Sequence, residues 1–140
     1  MANAVRIECE GAEFALLLED DDRVVVAYLL QRDSIVGDVW LFNRGDTPEQ
    51  PEWTERKKGP FKNASRFIAH PVMTPDMFSI QAKWIESDGD LKFVELRANG
   101  KLLAALSSGS KPGWCANAAL TGPVARPLDD YIALRDRDAI

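Results

Sequence analysis

Phe78-Ser79-Ile80-Gln81-Ala82-Lys83-Trp84-Ile85-Glu86-Ser87-Asp88-Gly89-Asp90 carries the reading of the fold. Phe78, Ile80, Ala82 and Trp84 fall on one side of an extended chain and Ser79, Gln81 and Lys83 on the other, because successive strand side chains point to opposite faces. The stretch predicts a half-buried strand over 78–86. Ser87-Asp88-Gly89-Asp90 then supplies a hairpin turn, since Asp and Gly tolerate the positive φ that two-residue turns demand. Asn99-Gly100 repeats that signal, so strands are expected over 91–98 and 101–107, each beside the one before it.

Earlier in the chain the same grammar holds. Val5, Ile7 and Cys9 alternate with Arg6, Glu8 and Glu10, giving a strand over 4–10. Phe14 to Leu18 and Arg23 to Leu30 are apolar on both faces and are joined by Glu19-Asp20-Asp21-Asp22, whose short polar side chains suit a bend. They read as covered central strands or as barrel walls. A fourth strand over 35–43 sets Trp40 and Phe42 on one face against Val39 and Leu41 on the other. The expected fold is mainly β: an antiparallel meander of about seven strands forming a sandwich or barrel. Pro112 to Leu120 and Leu128 to Leu134 read as one or two short helices near the C-terminus, the second with Leu128, Tyr131, Ile132 and Arg135 at helical spacing. A faint internal echo accompanies this pattern. Leu18-Glu19-Asp20-Asp21 ahead of Val24, Val26 and Leu29 lies over Ile85-Glu86-Ser87-Asp88 ahead of Leu91, Phe93 and Leu96, at a shift of 67.

Residues 44–76 break the alternation. Pro48, Pro51, Pro60, Pro71 and Pro75 cannot lie inside a regular ladder, so this is a long connection, interrupted by a short helix from Asn63, as N-cap, through Ala69. Connections of that length tend to carry function.

The 140 residues, 46% hydrophobic and 28% charged, make one domain over 1–140 able to bury about two-thirds of its surface without metals or bridges. The net charge of −5 disfavours nucleic acid and anionic membranes as partners. That charge is uneven: residues 1–52 carry −8, 53–75 carry +4 and 76–140 carry −1. Cys9 and Cys115 lie far apart, and the opening MANAVRIECEGAEF lacks the basic and continuous apolar regions of a secretory signal. A cytoplasmic protein with two packing thiols is expected. The longest apolar run, Val24 to Leu30, is too short to span a bilayer.

Chemical motifs are sparse. His70 is the single histidine, without the companions a zinc site needs. Glu19 to Asp22 and Asp88-Gly89-Asp90 stand where hairpins bend and lack the twelve-residue calcium-loop pattern. Ser107 to Gly113 lacks P-loop spacing, and no GxSxG, GxGxxG, HExxH or CxxC occurs. No catalytic residue, metal or cofactor is assigned, and an enzyme is not the favoured reading.

Pro51 to Lys62 is the one place where bases and large aromatics interleave on a loop, with Trp53, Arg56, Lys57 and Lys58 as candidate binding residues. Trp114, just outside a strand end, joins them if the meander closes. Asp20, Asp21 and Asp22 are the acidic candidates. Two functional expectations follow. The first is a non-enzymatic protein-binding module, an acidic inhibitor or immunity-like protein for a basic partner. The alternative is a small anionic ligand inside a β-barrel walled by Phe14, Tyr28, Trp40, Phe78 and Trp84, with Arg56 or Lys58 on a lid. An enzyme of unrecognised type ranks behind both.

Overall fold

The hairpin sequences pair with their neighbours as their turns require. In a computed structural model, which describes residues 3–9, 13–55, 57, 59–69 and 73–138, β1 (Asn3–Glu8), β2 (Phe14–Asp20), β3 (Val24–Gln31) and β4 (Ser34–Asn43) form an antiparallel sheet in chain order. A second sheet follows in chain order from β5 (Gln81–Ser87), β6 (Asp90–Ala98), β7 (Lys101–Leu106), β8 (Trp114–Cys115) and β9 (Arg126–Pro127). Its last pair, β8 with β9, is parallel. The helix α1 (Leu128–Asp138) follows β9, where the second tail helix was expected. The arrangement is sandwich-like. Leu16, Leu18, Ala27, Leu29, Val39 and Leu41 from the first sheet share one fully buried cluster with Val94, Leu96, Leu103 and Leu106 from the second, which is the period-two pattern expressed as a core.

One side of the sandwich is closed by backbone. The Asp38 N–H donates to the Ser110 carbonyl at 3.0 Å, the Gly113 N–H to the Asp38 carbonyl at 2.6 Å, and the Trp40 N–H to the Val124 carbonyl at 2.9 Å. The stretch after β7 thus runs along the outer edge of β4, then crosses to pair Trp114 with Ala105 of β7. Gly113 permits this crossing, because a Cβ there would stand 2.5 Å from the Ala105 carbonyl oxygen.

The other face of the second sheet carries α1. Tyr131 packs edge-on to Phe93 at 5.0 Å and against Trp114 at 5.5 Å. Beside them lies Glu95, buried on β6, whose carboxylate accepts from the Tyr131 hydroxyl at 2.6 Å and pairs with Arg97 at 2.8 Å and Arg135 at 2.9 Å. Burial pushes the Glu95 carboxyl up, but the Tyr131 hydroxyl and the two guanidiniums outweigh it and hold the group at about 2.

The internal echo is structural. A shift of 67 carries Phe14–Asp20 onto Gln81–Ser87, the whole of Val24–Gln31 into β6, and Ser34, the first residue of β4, onto Lys101, the first of β7. The turns match as well. Arg32 and Asp33 superpose in sequence on Asn99 and Gly100, and Asp22 on Gly89, all with positive φ.

Three local expectations are corrected. Phe78 lies outside the strand, in a 3-10 turn (Met77–Ser79) whose first N–H groups are held by Asp76, and it is 71% exposed while Met77 and Ile80 are buried. The region 63–69 contains one 3-10 turn, Ser65–Phe67, and Asn63 does not cap it; the Asn63 N–H donates instead to Asn43. Residues 112–120 form no helix, because the Gly113 and Ala116 N–H groups are taken by the carbonyls of Asp38 and Leu103 on neighbouring strands. Among the described residues no helix is long and apolar enough to cross a membrane.

Candidate functional site

Inward-facing Leu16, Leu18, Ala27 and Leu29 oblige the residues between them to face outward. On that outer face Leu17, Tyr28 and Asp38 stand in one cross-strand row, and Glu19, Val26 and Trp40 in the next. Two later pieces of chain then rise around the second and third of these strands. Pro60 and Phe61 come from the long connection, and Pro123 and Val124 from the stretch bonded to the edge of β4; with Val26, Tyr28, Asp38 and Trp40 they line a groove of about 200 Å³.

The connection is held in place by polar side chains. Glu52 accepts from Arg23 at 2.6 Å and from the Lys62 N–H at 2.9 Å. Asp20 pairs with Arg44 at 2.6 Å. Asn43 accepts the Trp40 indole N–H at 2.7 Å and the Asn63 N–H at 2.9 Å, while its own amide donates to the Asn63 carbonyl. The buried Trp40 ring therefore forms the floor, fixed by the same asparagine that positions the wall.

Asp38 sets the electrostatics. It is half-buried among the aromatics and prolines, and among the described residues no hydrogen bond or ion pair reaches its carboxylate. Burial pushes the carboxyl above the usual range, opposed by the field of the exposed Lys111 ammonium. The half-buried Tyr28 hydroxyl is also pushed up, first by burial and then by the negative fields of Glu19, Asp38 and Asp21. Three carboxylates thus act on one phenol at the rim. An apolar groove with a carboxylate that lacks a bonded partner among the described residues is suited to a cation carrying apolar or planar surface.

A second cleft of about 450 Å³ opens at the strand ends, with Glu13, Phe14, Gln31, Glu86 and Asp90 among its walls. Its carboxylates are partly engaged: Glu13 accepts from Gln31 and Arg32, and Glu86 from the Cys9 thiol. No cluster of three or more metal-ligating side chains occurs among the described residues.

The residues singled out from sequence do not converge where they are described. Trp53 packs edge-on to Phe67 at 5.2 Å, whereas Trp114 is buried against Phe93 and Tyr131 with Arg126 stacked on it at 4.1 Å, so the two tryptophans belong to different aromatic clusters. Lys57 is exposed, and Arg56, Lys58 and His70 lie outside the described residues. Asp20 is buried in its pair with Arg44. Asp21 accepts the Arg23 and Val24 N–H groups, shaping the turn, and Asp22 stands exposed at the tip with φ 71°. The five aromatics expected to wall a barrel do not surround one cavity. Phe14 lines the strand-end cleft, Tyr28 and Trp40 line the groove, Trp84 packs on the core and Phe78 faces solvent. Asp38 was not foreseen, although a carboxylate inside the apolar run Ile35 to Phe42 was its visible signal.

No protein-family model matches the chain, and neither a curated protein nor a solved structure matches it.

Proposed function

We propose that the protein is a non-enzymatic binding module that takes a basic protein partner on the outer face of its first sheet, with the groove around Asp38 as the anchor. The observation that carries this reading is the Asp38 carboxylate, half-buried among Tyr28, Trp40 and Phe61 without a hydrogen-bonded partner among the described residues. A half-buried carboxylate balanced only by the field of Lys111 costs stability, and a cationic partner would recover part of that cost on binding. The charge of −8 over residues 1–52 would speed the encounter and make it salt-sensitive. An acidic inhibitor or immunity-like protein is one form such a module takes. The unpaired buried thiols Cys9 and Cys115 suit a cytoplasmic setting. A small anionic ligand is less well supported, because the groove presents a carboxylate to it.

A tagged pull-down from the native host at low and then moderate salt tests the reading. One stoichiometric basic protein that washes off as salt rises is the expected result. A solitary 15.6 kDa band at low salt overturns it.

A further inference from the structure

We propose that the groove between Tyr28, Trp40 and Phe61 is a pocket for a single arginine side chain on a partner's surface, with Asp38 as its counter-ion. The inference rests on the binding-module reading and names the group that module would recognise.

Size is the first argument. Pockets for whole small molecules run from about 300 to 1,000 Å³, and this one, at about 200 Å³, suits one long side chain presented by a larger body. Charge is the second. Asp38 is a carboxylate in surroundings that water only partly reaches, with no bonded partner among the described residues, and Glu19 and Asp21 add negative field at Tyr28. An anion or a neutral apolar group would leave that charge uncompensated.

The walls choose between the two basic side chains. A lysine ammonium is compact and strongly hydrated, and it would shed that hydration against proline and aromatic rings. A guanidinium is planar and weakly hydrated, stacks on aromatic faces and can grip a carboxylate with two N–H groups. Tyr28 and Phe61 supply half-buried rings beside Asp38, and Pro60 and Pro123 supply stiff apolar rims. The protein already seats its own guanidiniums this way, with Arg126 4.1 Å from the Trp114 ring centre and Arg44 5.2 Å from that of Phe42.

Lys111 completes the picture. Its ammonium acts on the Asp38 carboxylate without forming an ion pair with it. It competes weakly with an incoming guanidinium, so removing its charge should tighten the pocket.

The test is titration of the isotope-labelled full chain, followed by amide and indole NMR shifts, with the capped peptide Gly-Ala-Arg-Ala-Gly and its lysine and citrulline counterparts. The arginine peptide is expected to produce saturable shifts at Tyr28, Asp38 and the Trp40 indole, with a Kd near about 1 mM for so small a ligand. Lysine should bind more weakly, and the neutral isostere citrulline at least about tenfold more weakly. Asp38→Asn, whose spectrum reports whether it is folded, should lose the preference for arginine over citrulline. Lys111→Gln should bind arginine several-fold more tightly. Equal binding of arginine and citrulline, or no saturable shift at the groove, overturns the pocket. Capture of a basic partner undiminished by Asp38→Asn would sink the pocket and with it the Asp38 anchor, leaving only a module that binds a basic partner elsewhere on its surface. A responsive groove with no captured partner would do the reverse.

Discussion

The Tyr131 hydroxyl, on the C-terminal helix, donates at 2.6 Å to a Glu95 carboxylate that is 1% exposed on the central strand of the β5–β7 meander. This bond, with the Arg135 guanidinium at 2.9 Å on the same oxygen, gives the helix a polar registration that its apolar contacts alone would not specify. Arg97 takes the other oxygen at 2.8 Å. One buried carboxylate therefore ties together two β6 positions and the helix.

Acid should release this tie. The Glu95 carboxyl is held at about 2 against an ordinary 4.5, so its contribution is fully present above pH 4.5 and is lost as pH falls through 2. The shift corresponds to about 3 kcal/mol at neutral pH. Urea unfolding measured from pH 6 down to 2.5 should show that loss in the wild type. Glu95→Gln should be destabilised at pH 6, by roughly 3–5 kcal/mol where a buried pair is broken, and should show a shallower decline over the acid range. Parallel curves for the two proteins would contradict this account.

Gly113 should tolerate no side chain. Its added Cβ would meet backbone at 2.5 Å and the Leu106 Cδ2 at 2.8 Å, where the chain passes between β4 and β7. Gly113→Ala is expected to cost roughly 1–3 kcal/mol by overpacking, read as a lowered urea midpoint. Gly89→Ala, which meets nothing within 4 Å and differs mainly by its φ of 82°, provides a comparison for backbone strain alone.

The acidic tip divides into structural and surface charges. Asp21→Ala removes the acceptor of two turn N–H groups at 2.9 Å and should cost about 1 kcal/mol, whatever the partner does. Glu19→Gln lies beside the groove without that turn role. It should slow association with a basic partner at low salt and leave the thermal midpoint unchanged, with the difference fading as ionic strength rises. An on-rate indifferent to Glu19→Gln would exclude it from the docking field.

Asp38 should behave as a residue kept against stability. Its folded carboxyl sits above the ordinary 3.8 because of burial, so ionisation penalises the folded state and stability falls as pH rises through that shifted value. Asp38→Asn is therefore expected to unfold at an equal or higher temperature than the wild type at pH 7 while binding the proposed basic partner less well. A clear loss of thermal stability in the variant would instead assign Asp38 a structural role.

Much of the sheet layout was legible because alternation and turn chemistry are local. Asn99-Gly100 and Asp88-Gly89 marked their turns outright, and the shift of 67 showed as a faint echo between two strand-turn-strand patterns. The Arg32-Asp33 turn carried a weaker mark, since Asp tolerates positive φ but Arg is no usual choice for it and no glycine follows. Phe78 extended the apolar alternation by one step too many, because Asp76 bonds the Phe78 N–H at 3.0 Å and turns the chain before Gln81. The groove was hidden for a different reason. Tyr28 and Asp38 are cross-strand neighbours, but Phe61 and Val124 reach them only through long-range packing, which no short window of sequence encodes.

Because Pro123 and Val124 wall the groove and the Val124 carbonyl bonds the edge of β4, a groove whose floor belongs to the first sheet is finished by chain that comes only after β8. A nascent chain can pair β1 to β4 early, yet the groove lacks its far wall until residues 123 and 124 have reached the edge of β4. A chain cut short before residue 123 would keep the acidic strands and lose the wall that turns their outer face into a groove.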